Sequence, residues 1–78
     1  MERDLNAALM KAHENLDHAK LIDLYVQIGE EKLSINDIDA ACFYFTHAYV
    51  FALESGSSKA RELNQQLVKF GREVEDNL

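Results

Sequence analysis

The stretch that most limits what this chain can become is Ile38 to Gly56, IDAACFYFTHAYVFALESG, the most apolar segment of the sequence. Ile38, Ala41, Cys42, Phe45, Ala48, Tyr49 and Ala52 recur at steps of three and four, a period that gathers them on one arc of a helix. Ala40, Tyr44 and Phe51, with Phe43 and Val50 further round, make a second apolar surface. A helix that is apolar over most of its circumference needs neighbours on more than one side. Asp39 and His47 interrupt the segment, and it is too short to cross a bilayer as a helix.

The neighbours read as helices too. Proline is absent and glycine stands only at 29, 56 and 71, so small polar residues must mark most turns. Asp4 is the expected N-cap of a first helix near 4–15, with Leu5, Ala8, Leu9, Ala12 and, at its end, Leu16 on one face. Asp17 is placed to cap a second helix near 17–33, where Leu21, Leu24, Tyr25 and Ile28 form one stripe and Ile22, Val26 and Leu33 another. Ser34, Asn36 and Asp37 compete to cap the third, near 36–55, and Gly56 suits its left-handed end. Ser57 or Ser58 opens a fourth helix near 58–75, with a single stripe of Leu63, Leu67, Phe70 and Val74. The spacing therefore predicts one all-α domain of four antiparallel helices joined by short connections.

Composition narrows the function. At 47% hydrophobic residues the chain is apolar enough to fold. Its net charge of −6, with the eight basic residues scattered, argues against nucleic acid and anionic membranes as partners, since both are recognised through clustered Lys and Arg. The aromatic set between Asp37 and Glu54 has no basic residue interleaved with it, unlike a base-stacking platform. A single cysteine, Cys42, excludes an internal disulfide, and MERDLNAALMKAHEN lacks the apolar run of a signal peptide. These features point to a soluble, cytoplasmic protein.

No reactive constellation emerges. In HENLDH, His13 and His18 are five apart, about 140° round a helix, whereas a zinc-binding H-E-x-x-H needs a spacing of four. Cys42 and His47 are also five apart and do not face each other as nucleophile and base. Cys42 reads as a small core residue and His47 as a packing or contact residue. No phosphate loop, paired-cysteine motif or nucleophile elbow is present. The expectation is a protein that is not an enzyme and needs neither cofactor nor metal. A different class, a ligand carrier or enzyme with a pocket between the second and third helices near Tyr25, Cys42 and His47, would require a bound small molecule.

The sequence also repeats itself. Leu21, Tyr25, Val26, Ile28 and Gly29 recur 42 positions on as Leu63, Leu67, Val68, Phe70 and Gly71, which makes helices two and four the same element in successive units. Leu21, Tyr25 and Gly29, followed by Ala41, Phe45 and Ala48, resemble the paired helices of a tetratricopeptide repeat, in a variant longer than the usual ~34 residues. About one and a half units are present. The resemblance implies a non-catalytic adaptor that binds a protein or peptide along its first-type helices, through Lys20, Asp23, Gln27, Arg61, Gln65 and Lys69. Where such families clamp a terminal carboxylate with Lys and Asn, this chain has Ala19, Asp23 and Glu62. Because stacked repeats usually need three or more units, the alternative is a homodimer joined through Tyr44, His47 and Phe51.

Overall fold

A computed structural model of the chain describes residues 5–72. The fold is all-α, with α1 (Leu5–Glu14), α2 (His18–Ser34), α3 (Ile38–Ser55) and α4 (Lys59–Lys69) following one another at three-residue connections. Asp4 and Val74, expected as the first cap and the last member of the α4 stripe, lie outside the described residues.

All four helices end in the same way. A residue one or two positions past each end turns left-handed, Leu16 at φ 51°, Asn36 at 61°, Gly56 at 68° and Gly71 at 72°. Its N–H returns to the carbonyl three residues back, and the next N–H reaches five back. At α3 these bonds are Gly56 to Leu53 at 3.3 Å and Ser57 to Ala52 at 2.9 Å. This arrangement satisfies carbonyls that a helix end leaves without intrahelical partners. Asp17 and Asp37 then open the next helices, each carboxylate accepting an amide from three residues on, Lys20 at 3.1 Å and Ala40 at 3.2 Å. The competition to cap α3 is thereby resolved: Asn36 makes the turn, while Ser34 donates back to the Glu31 carbonyl. At α4 the Ser57 hydroxyl receives the Lys59 N–H, and Ser58 makes no side-chain capping bond.

Two expectations change. Leu16 is not on the α1 face but 76% exposed at the turn, because a reversal is needed there and no glycine is available. The α4 helix stops at Lys69 rather than near 75, since Gly71 takes the left-handed conformation and Arg72 closes onto the Leu67 carbonyl.

Helix α3 has neighbours on two sides, as its composition demands. Ala41, Cys42, Phe45, Ala48, Tyr49 and Ala52 are buried with Ile22 of α2 and with Ala60, Leu63 and Leu67 of α4. A second cluster joins Ala12 of α1 to Leu21 and Leu24, and Tyr25 and Phe51 pack against both clusters. Small alanines allow close helix approach while rings fill the remaining space. At Gly29 this approach is closest, for a Cβ there would sit 2.6 Å from Phe45 Cε1. The second apolar surface of α3 is used only in part: Tyr44 and Phe51 are half-buried, but Phe43 and Val50 are exposed.

The contacts fix the directions. His18 stacks on Phe51 and Tyr25 on His47, so α2 and α3 run antiparallel. On α4, Asn64 donates to the Tyr49 hydroxyl at 3.3 Å and Arg72 pairs with Asp39, which makes α3 and α4 antiparallel. It follows that α2 and α4 run the same way, bridged by Lys59 and Asp23 at 2.6 Å. Asn64 is 2% exposed. A buried amide is costly without a hydrogen bond, so the bond to Tyr49 fixes the register of α4 as well as stabilising it.

Candidate functional site

Two sets of residues were candidates, and the structure separates them by helix face. Among the groove candidates, Asp23 lies at the α2–α4 junction, where its carboxylate accepts a hydrogen bond from Lys59 Nζ at 2.6 Å. The rest are dispersed. Lys20 lines a hollow against α1 with Lys11, Asn15 and Asp17. Gln27 is half-buried on α2. Arg61 lines the opposite edge of α4, beside Leu53, Gly56 and Ser57 at the α3–α4 turn. Gln65 follows Arg61 by four residues on the same edge, and Lys69 is exposed at the end of the helix.

The groove itself is built from their neighbours. Val26 and Glu30 of α2 and Lys59, Glu62, Leu63 and Gln66 of α4 surround a hollow of about 200 Å³ above the Phe45 ring. Phe45 and Leu63 are buried and Val26 half-buried, so the floor is apolar; Glu30, Lys59 and Glu62 are exposed and form the rim. On α4 the sequence-based choice was displaced by one residue, about 100° round the helix. The signal that could have found the rim was already present: Lys59 and Gln66, at −4 and +3 from Leu63, are its neighbours on a helix surface, and Glu62 is in turn +3 from Lys59 and −4 from Gln66.

Electrostatics pins one rim cation. The Lys59 ammonium is held above its usual range, first by its hydrogen bond to Asp23, against the opposing effect of desolvation, and then by the charges of Asp23 and Glu62. Asp23 thus occupies the Lys59 charge at one end of the groove, while Glu30 and Glu62 line the hollow beside it.

The self-association candidates also pack within the fold. Tyr44, His47 and Phe51 are half-buried and belong to a ladder of rings centred on Tyr25, which stacks against His47 at 5.1 Å, Phe51 at 5.9 Å and Tyr44 at 6.3 Å between centroids. His13 of α1 closes edge-on against Phe51 and hydrogen-bonds the Tyr25 hydroxyl at 3.0 Å. The three histidines of the chain all pack against this ladder. Burial, and then the nearby Tyr44, push the Tyr25 hydroxyl above its ordinary range. These rings hold α1, α2 and α3 together. The exposed rings and aliphatics of α3 are instead Phe43, Val50 and Leu53.

The constellation of Tyr25, Cys42 and His47 does not meet in one cavity. Tyr25 and His47 stack directly, while Cys42 and His47 line a separate hollow with Asp39, Phe43, Thr46 and Arg72 that Tyr25 does not line. Among the described residues no group of three metal-ligating side chains converges, and no helix is long and apolar enough to cross a membrane. No family model, curated protein or solved structure matches the chain.

Proposed function

We propose that this chain is a non-catalytic interaction module, similar in design to a tetratricopeptide repeat, that binds a segment of another protein between α2 and α4. The observation that carries this reading is the groove: two parallel helices leave a hollow of about 200 Å³, floored by half-buried Val26 and buried Phe45 and Leu63, beneath a polar rim. Such a surface suits a peptide, whose side chains fill the floor while its backbone meets the rim. The test is selection of a peptide library on the folded chain, with Gln66→Trp as a variant in which the indole roofs the groove. Selected peptides should lose binding to Gln66→Trp. Undiminished binding to a variant of unchanged helicity would place their site elsewhere and defeat the reading.

A second reading, self-association, is favoured by the outer face of α3, where Phe43, Val50 and Leu53 lie on one arc and remain exposed. Solvent-facing apolar stripes of this kind are buried by pairing in symmetric dimers. Light scattering over a wide concentration range should then show a dimer that Phe43→Ser with Val50→Ser converts to a folded monomer. A monomer at every concentration would remove this reading. The protein is expected to act in the cytoplasm.

A further inference from the structure

We infer that the groove between α2 and α4 takes a lysine or arginine side chain from a basic segment of its partner protein, an inference that rests on the interaction-module reading above. Three features of the groove select this occupant. Its floor, Val26, Phe45 and Leu63, is apolar, and the methylene stem of Lys or Arg covers such a surface while the charged head stays near water. Its rim carries Glu30 and Glu62, and a guanidinium or ammonium emerging from the floor can reach carboxylates at the edge in charge-assisted hydrogen bonds. The cation already present, Lys59, is hydrogen-bonded to Asp23 at 2.6 Å and feels the charge of Glu62 as well, whereas Glu30 makes no ion pair among the described residues.

Size and field agree with the charge. At about 200 Å³ the hollow is smaller than the ~300–1,000 Å³ of a drug-sized site and suits one long side chain rather than a whole small molecule. The chain's net charge of −6 steers cationic segments toward it and repels acidic ones, an effect that weakens with salt. A purely aliphatic anchor would fill the floor but leave Glu30 and Glu62 with no new partner.

The experiment follows backbone amide shifts of the isotope-labelled chain as it is titrated with two blocked peptides on the same leucine–alanine frame, one bearing arginines and the other glutamates. The arginine peptide should move the amides of Val26, Glu30, Glu62 and Gln66, and the glutamate peptide should move none of them. Glu30→Gln combined with Glu62→Gln should weaken the arginine peptide about tenfold or more, with the circular dichroism unchanged because both sites are exposed. Unchanged affinity in that variant, or shifts that fall outside the groove, would overturn the inference. The glutamate peptide settling in the groove would overturn the basic anchor yet keep the groove as an interaction surface. Failure of both peptides to reach the groove would overturn the two readings together.

Discussion

Helices α2 and α4 carry the same sequence signature, YVQIG and LVKFG, and use it to opposite ends. In α2 the glycine sits inside the helix, buried, with the Phe45 ring where its Cβ would be. In α4 the glycine lies past the last turn at φ 72° with open space around it. Gly29 is needed for what comes close, and Gly71 for how the chain turns. Other paired positions differ as well: half-buried Tyr25 organises the ring ladder, whereas its counterpart Leu67 is buried in the core. A repeated pattern therefore specifies a helix and its buried face without specifying where the helix ends or which rings surround it. The difference also shapes the groove, because the ring that Gly29 admits is its floor.

The comparison is broken most severely by removing that ring. Phe45→Ala should cost about 3–5 kcal/mol, as much as a domain of this size has in reserve, and circular dichroism should show a largely unfolded chain. Gly29→Ala comes next. Overpacking against a buried ring costs roughly 1–3 kcal/mol, and the helix preference of Ala over Gly, about 1 kcal/mol, offsets only part of it, so the urea midpoint should fall. At Gly71 the same substitution meets no atom but forces a side chain into a left-handed conformation, at about 1–2 kcal/mol, and Gly71→Asn should recover much of the loss. Leu16 provides the converse. It holds a left-handed conformation without being glycine, so Leu16→Gly should stabilise the fold by about 1 kcal/mol and raise the urea midpoint. The exposed pair of Lys59 and Asp23 is worth least, under about 1 kcal/mol on replacing Lys59 with Met.

Most of the architecture was legible because it depends on local spacing. The steps of three and four in α3, the carboxylates at Asp17 and Asp37 and the glycine at 56 each encode a period or a cap in a few adjacent residues. The rest depended on contacts between helices. Nothing near Tyr44 or Phe51 in sequence reveals that Tyr25 and His13 cover them, so rings that hold the fold together resembled a free surface. The groove rim was missed for a related reason. Choosing Arg61 and Gln65 required the rotation of α4 about its axis, which is fixed by Asn64 bonding to Tyr49 across the core, and a shift of one residue turns a rim position to the other side.

Alkali provides a separate probe of the ladder. The fold favours the protonated Tyr25 hydroxyl, chiefly by burying it and secondarily through Tyr44. The folded chain thus keeps a proton that the unfolded chain releases near pH ~10. This contribution is fully present below that pH and is lost as pH rises through the higher folded value. Lys59, also held above its usual range by Asp23, acts in the same direction. Denaturation midpoints should therefore decline above pH ~10, and Tyr25→Phe should lessen the decline.

The most direct test of why the two repeats differ is a double-mutant cycle that joins Gly29→Ala and, separately, Gly71→Ala to Phe45→Leu, read by urea denaturation. Shrinking the ring should relieve the clash at residue 29, so that the double variant is more stable than the sum of its parts by at least ~1 kcal/mol, while the pair with Gly71 should add within ~0.5 kcal/mol. Additivity at 29, or equal coupling at both glycines, would contradict the account in which Gly29 admits the floor of the groove and Gly71 only ends a helix.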